Sequence, residues 1–434
     1  MTKINLLKEK GMPLDKQVKS WHDIVKRPYN RELVDNYTRT RQILMNGIET
    51  ESWTFKHSFV RNLDDTELKN LLVSIRRVED MQQTTVNWLS PINQSVLDTT
   101  LGYEQVAVDL TAWLAQNEDN SYVKETFDFG LLEDYDHLYR YSQFAYLIEE
   151  TYPDIILHNN TDVTLARPTQ FHHNCNVLRT RTPYDKDKTS PKTKVNILTL
   201  VSAEQQTHNY YAEHGFMYGN TDLKRLYAEI CDVEEEHVTM YETLIDPKET
   251  WFEKWLIHEF TECSNYYNCY ADEIDDRIKL IWEQLLSMEI EHLQLAAKMY
   301  EKYEKKDPIA IIGENIILPC RFKSQKEYVK NILNKETNKR VDKNGTFNTV
   351  DKLDDDWNSY NIQKAVNSKG APSEQAVNLS INSIKRDIAV ADNDLLNKQA
   401  TLLEKSMQKD GVSKNTITKE KYVEISKVNF EFNE

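Results

Sequence analysis

Apolar residues recur at three- and four-residue intervals from Val34 to Glu150 and again from Val195 to Glu304, the spacing that turns one side of an α-helix towards a core. In the first stretch the pattern breaks near Asn62-Leu63-Asp64-Asp65, Ser90-Pro91 and Gln116-Asn117-Glu118-Asp119, which predicts four helices. In the second it breaks at Gly215 to Asn220, Asp246-Pro247 and Ala271-Asp272, which predicts four more. An all-α chain is expected, with two tandem four-helix bundles over 34–150 and 194–306.

The flanks read differently. Residues 1–33 form a polar arm, and residues 151–193, with Pro153, Pro168, Pro183 and Pro191 and little periodicity, form an irregular connector. Within it, His172-His173-Asn174-Cys175 is the part of most chemical interest. Adjacent histidines without a spaced third ligand nevertheless read first as plain connector. Residues 307–434 are rich in Lys, Asn, Asp and Ser, with an amphipathic helical pattern from Ala371 to Gln408. That predicts a polar, partly helical tail suited to an arm or partner-binding segment.

Composition narrows the class. Ten glycines and eleven prolines in 434 residues are too few for a sandwich, a barrel or a Rossmann sheet, while 39% hydrophobic residues suffice for two cores. No stretch approaches twenty apolar residues and the start is polar, so a soluble, cytoplasmic protein without membrane contact is expected. Five scattered cysteines with no C-x-x-C pair indicate neither a disulfide framework nor a zinc or rubredoxin-type knuckle. A net charge of −16 argues against nucleic acid as a partner and leaves room for bound cations.

The candidate chemistry lies in the second half. Glu234-Glu235-Glu236-His237 and Glu289-Ile290-Glu291-His292 both contain E-x-x-H, which sets a carboxylate and an imidazole one helical turn apart on one face. Two such helices plus one Glu from each of two others make the ligand set of dinuclear carboxylate proteins. An internal repeat supplies the rest. Glu49, Glu79, Glu104, Asp134 and His137 stand 155 residues before Glu204, Glu234, Glu259, Glu289 and His292. Glu204, Glu234, His237, Glu259, Glu289 and His292 are therefore expected to hold two metal ions in the second bundle. No Lys or Arg lies within these motifs, and carboxylates converging in an interior need cations to offset their desolvation. The first bundle keeps Glu49, Glu79, Glu104 and His137 but has Gln82 where the second has His237 and the shorter Asp134 where it has Glu289, and reads as a degenerate site.

The segment Ala203-Glu204-Gln205-Gln206-Thr207-His208-Asn209-Tyr210-Tyr211, the pair Glu234-x-x-His237, the segment Glu259-Phe260-Thr261-Glu262-Cys263-Ser264-Asn265-Tyr266-Tyr267 and the pair Glu289-x-x-His292 together resemble the four ligand helices of rubrerythrins, members of the ferritin-like superfamily. The resemblance covers about residues 195–304 and reaches 34–150 only through the repeat. It implies a non-haem centre of two iron ions that reduces hydrogen peroxide; the ligand types by themselves suit iron or manganese, and peroxide or oxygen is the expected oxidant. The resemblance also implies Glu262 as an additional, redox-linked ligand with a catalytic role, and Tyr211 and Tyr267 facing the metals. No rubredoxin module follows, so the electron donor is external. The connection from Glu234 to Glu259 is shorter than the family's long crossover, which leaves the threading of the second bundle open.

The leading expectation is a dinuclear-metal oxidoreductase. Iron oxidation and handling, as in ferritins, and a structural, metal-stabilised adaptor protein are the alternatives. The sequence leaves homo-oligomerisation open.

Overall fold

The computed structural model describes residues 4–389 except 36, 159, 162–179, 319, 336–338, 350–351 and 355–358. The His172-His173-Asn174-Cys175 stretch and the tail beyond 389 lie outside the described residues. The chain is mostly helical. Among the described residues the eight longest helices are α1 (Thr38–Arg61), α2 (Thr66–Asn87), α3 (Val96–Asn117), α4 (Ser121–Glu149), α5 (Pro191–His214), α6 (Thr221–Glu242), α7 (Trp251–Asp272) and α8 (Asp276–Glu304). Their ends fall close to the predicted breaks.

Seven of these eight starts have a local cause. Asp65, Ser95, Asn120, Ser190, Asn220 and Asp275 accept hydrogen bonds from first-turn amides, and Thr250 with Glu253 closes a capping box at α7. Pro191 opens α5, where its missing N–H leaves no bond unmade. Helices α4 and α8 end on Glu150 and Lys305 in the left-handed conformation.

The helices pair as four hairpins in chain order: α1 with α2, α3 with α4, α5 with α6, and α7 with α8. How the hairpins combine differs from the tandem expectation. Helix α1 packs on α7, bringing the first and last hairpins together, while α3 packs on α5 and α4 on α6. The result is two groups packed side by side: α3–α6, which in chain order lie between the two halves of the other group and are here called the inner group, and α1, α2, α7 and α8, the outer group. Each group takes one hairpin from each copy of the 155-residue repeat. The seam runs chiefly along α1 and α5. There Gly47 lies so close to α5 that a Cβ would stand 2.7 Å from the Ser202 carbonyl oxygen.

Link lengths constrain the arrangement. Residues 243–250 join α6 to α7. Fully extended, eight residues span at most about 28 Å, whereas a 22-residue helix is about 33 Å long. The chain cannot return along α6 to start a parallel neighbour, which excludes a long crossover within 194–306, and α7 instead packs on α1. The longer connector between α4 and α5 has residues enough for such a return and joins two helices of the inner group.

The flanks pack more firmly than predicted. Residues 4–35 do not form a free arm: Leu6 is buried, Met12 N–H bonds the Ser287 carbonyl, and Gln17 Nε2 reaches Met12 and Met288 carbonyls on or beside α8. Gly11 permits this, since a Cβ there would meet the Glu291 backbone nitrogen at 2.6 Å. In the tail, helices α9 (Lys326–Lys335), α10 (Ser359–Val366) and α11 (Pro372–Ala389) follow the bundle helices, and Lys339–Val341 pairs with Phe347–Thr349 as a short antiparallel ladder. Helix α11 lies on α4 and α6, with Ser373 N–H donating to Glu229 Oε2 at 2.8 Å. Among the described residues, no helix is long and apolar enough to cross a membrane.

Candidate metal centres

The nested arrangement redistributes the predicted ligands into two clusters. Glu204, Glu234 and His237 lie in the inner group with Glu104, Asp134 and His137; Glu259, Glu262, Glu289 and His292 lie in the outer group with Glu49, Glu79 and Gln82. The expected set of Glu204, Glu234, His237, Glu259, Glu289 and His292 therefore does not form one site. The supposed degenerate copy is divided as well, because each cluster draws two helices from each half of the chain. Every one of these thirteen side chains is at most 2% exposed.

The inner cluster is the complete one. In chain order it offers Glu104 from α3, Asp134-x-x-His137 from α4, Glu204 from α5 and Glu234-x-x-His237 from α6. Two ligand groups, Glu104/His137/Glu234 and Asp134/Glu204/Glu234/His237, each hold their donor atoms within 4.8 Å of one another. Glu234 belongs to both: its Oε1 is 2.8 Å from His137 Nδ1 and its Oε2 is 3.1 Å from His237 Nδ1. A carboxylate with one oxygen facing each of two imidazole-bearing groups has the position of a bridge between two cations.

Its supports are also in place. Glu133 Oε2 lies 2.9 Å from His237 Nε2, leaving Nδ1 to face Asp134 Oδ1 at 3.3 Å and Glu204 Oε2 at 3.7 Å. A carboxylate behind a histidine fixes its tautomer and ring orientation for a metal on the other nitrogen. The Tyr211 hydroxyl donates to Glu104 Oε1, and the rings of Tyr141 and Tyr227 pack around Tyr211.

The electrostatics expose a shortage of positive charge. Burial, reinforced by Glu234, pushes Glu104 far above the usual carboxylate range and Glu204 up to about 8. Burial and Glu204 do the same to Asp134. Glu234 moves the other way, because His137 and His237 outweigh its burial and hold it below the ordinary range. Burial opposes charge on His237, yet Glu133, Glu204 and Glu234 raise it well above the usual imidazole value. Both oxygens of Asp134 and of Glu204, and Oε2 of Glu104, have no hydrogen-bond partner. Buried carboxylate oxygens are normally satisfied; here the donor set of four carboxylates and two imidazoles fits cations in their place.

The outer cluster has the same outline and a different filling. Glu79, Glu259, Glu289 and His292 form one group, and Glu49, Glu262 and Glu289 another. Into the first reaches Lys56 from α1, fully buried, its ammonium bonded to Glu79, 2.8 Å from Glu259 Oε1 and 2.6 Å from Ser52 Oγ. Burial works against the ammonium, but Glu259 and Glu79 hold it charged. Gln82 Nε2 donates to Glu289 Oε1 at 2.6 Å, and Gln17 Oε1 lies 2.6 Å from His292 Nε2.

Two assignments change. Glu262 lies with Glu49, Glu289, Ser52 and Lys56 rather than beside Glu204 and Glu234; the inner position three residues after Glu204 is Thr207. The Tyr211 hydroxyl meets Glu104, a residue of the other predicted bundle. Tyr267 is half-buried against Tyr270, and its neighbour Tyr266 instead donates to Glu49. Sequence reasoning missed Lys56, Glu133 and Gln17. Lys56 is seven residues after Glu49, as Tyr211 is after Glu204, and that spacing was its one available signal. Comparison with family models, with characterised proteins and with solved structures finds no match to this chain.

Proposed function

We propose that α3–α6 form a ferritin-like unit holding a dinuclear iron or manganese centre on Glu104, Asp134, His137, Glu204, Glu234 and His237. We further propose that the protein is an oxidoreductase that reduces peroxide or oxygen with electrons from an external donor. The observation that carries this reading is Glu234, shared by two ligand groups and set between the Nδ1 atoms of His137 and His237. Hard carboxylate oxygens with two imidazoles suit iron or manganese. Bound as a pair, such ions supply the two electrons that O–O cleavage consumes.

The chain's own residues set the conditions. Full burial of the six ligands excludes bulk water and confines access to molecules as small as peroxide or oxygen. Glu133 orients His237. Tyr211 keeps its proton, since burial and the adjacent Glu104 push its hydroxyl far above the ordinary phenol value. It is thereby a hydrogen-bond donor fixed on the terminal carboxylate, next to where oxygen chemistry would occur.

The rubrerythrin-specific part of the expectation is narrowed, because Glu262 is not in this centre. Anaerobic loading with ferrous ion followed by a peroxide pulse tests the proposal. Stoichiometric oxidation with turnover on adding reductant, lost in Glu234→Ala, is expected. Growth of a ferric mineral, or inertness of the loaded protein, would overturn it.

A further inference from the structure

We propose that the outer cluster binds one hard divalent cation of the magnesium or manganese class through Glu49, Glu262 and Glu289, with the Lys56 ammonium fixed where a dinuclear centre would carry its second ion. This site is separate from the inner centre and does not depend on that centre's reading.

The two clusters correspond residue by residue. Glu289 takes the place of Glu234 as the carboxylate common to both ligand groups. His292 takes the place of His237, with its Nδ1 3.0 Å from Glu289 Oε2, and Glu79 and Glu259 take those of Asp134 and Glu204. On this side Lys56 is already seated on Glu79 and Glu259, two of the group's four donors. A metal ion there would be pressed against a like charge that has no path to water, since Lys56 is fully buried.

Unpartnered acceptors remain in both groups, Oε2 of Glu79 and of Glu259 included, but on the other side the Lys56 ammonium comes no nearer than 3.8 Å, to Glu262 Oε1. Glu49, Glu262 and Glu289 bring carboxylate oxygens within 4.8 Å of one another, and Oε2 of both Glu49 and Glu262 lacks a hydrogen-bond partner. An independent sign comes from Gln82, the counterpart of His237 in the repeat, which in the packed cluster meets Glu289 Oε1 as His137 meets Glu234 Oε1. It is 2% exposed, its amide lies against Glu289, and its carbonyl oxygen has no partner. Buried acceptors that face one another without a donor are the complement of a cation.

Ligand chemistry then selects the ion. Gln82 in place of a histidine makes this an all-oxygen set, and Glu262 adds a carboxylate where the inner group has Thr207. Carboxylates and a carbonyl suit magnesium, calcium or manganese, whereas metals that favour nitrogen gain nothing here. Three carboxylates and one amide leave coordination positions for water, as magnesium and manganese usually require. The molecule would thus sort two kinds of metal between two similar clusters.

The test counts manganese by equilibrium titration and reads its ligands by pulsed paramagnetic resonance on the full chain. In Glu234→Ala, which silences the inner centre, one manganese ion per chain without histidine nitrogen coupling is expected. Glu49→Gln with Glu262→Gln should remove that ion and leave the inner ions in otherwise wild-type protein. Lys56→Met should admit a second ion, now with nitrogen coupling from His292. If the Glu49/Glu262 variant loses no ion, or the ion in Glu234→Ala shows strong nitrogen coupling, the proposal is wrong. Failure of the inner-centre reading would appear separately, as no loss of ions on Glu234→Ala. Should that variant not fold, the wild-type count against the Glu49/Glu262 count gives the same answer by difference.

Discussion

Removing Glu234 tests energetics and chemistry together. In the metal-free protein this side chain accepts hydrogen bonds from two buried imidazoles, at 2.8 and 3.1 Å. Hydrogen bonds to charged groups contribute about 1.5–3 kcal/mol each, so Glu234→Ala forfeits roughly 3–6 kcal/mol. Part returns, because Glu234 is among the groups that push Glu104, Asp134 and Glu204 upward, and its loss relieves that repulsion. A net destabilisation of about 3 kcal/mol is expected, a large share of the roughly 5–15 kcal/mol typical of folded proteins. Metal adds a second effect. At a hundred times its dissociation constant, each bound ion stabilises the native state by about 2.7 kcal/mol. Urea denaturation in chelator and in saturating metal, in the Glu49→Gln/Glu262→Gln background, separates the two. There, wild-type Glu234 should give a large metal-dependent shift and Glu234→Ala none. A chelated Glu234→Ala protein within about 1 kcal/mol of its parent, or one that keeps the metal-dependent shift, would refute the bridging role.

Tyr211→Phe should retain the inner metal count yet slow peroxide turnover by at least about tenfold, the low end for a group acting in proton transfer; unchanged turnover would show that the hydroxyl only packs. Gly47→Leu drives a side chain into the α5 backbone at the seam and should cost about 3 kcal/mol in chemical denaturation. If α1 and α5 were not in contact, the same change would stabilise the helix by relieving a glycine. Asp109 on α3 is buried, and burial outweighs the nearby Tyr37 hydroxyl to push its carboxyl up to about 8. Below about pH 4 it is protonated whether folded or not; as pH rises towards 8 only the unfolded chain releases the proton readily. Wild-type stability should therefore fall by a few kcal/mol across that window and level off above it. Asp109→Asn should flatten that fall in stability measured against pH, and an unchanged slope would contradict the assignment.

Much of the molecule was legible from local rules. Helix ends followed from capping residues such as Asp65, Asn120 and Thr250, and the ligand types from two E-x-x-H pairs and the 155-residue repeat. What the pattern could not supply was the identity of the facing helix. A glutamate on an apolar face, such as Glu259, must point inward, but the 3.6-residue period does not say into which interior. The repeat concealed the answer further, since either copy could complete a ligand set. One clue was present in the link lengths, because residues 243–250 are too few to make a crossover and the connector after Glu149 is not. Lys56 was hidden for the same reason: Glu79 lies 23 residues away on its hairpin neighbour α2, but Glu259 lies 203 residues away on α7, which only the pairing of the first and last hairpins brings to α1.

The most direct test of the central claim is anomalous diffraction from crystals loaded with ferrous or manganous ion at low supply. Two peaks roughly 3.5–4 Å apart, the spacing of two-metal sites, are expected on either side of Glu234. One should lie within bonding distance of His137 and Glu104 and the other of His237, Asp134 and Glu204. No density at Glu234, a single ion there, or a metal pair on Glu259 and His292 beside Lys56 would contradict the account.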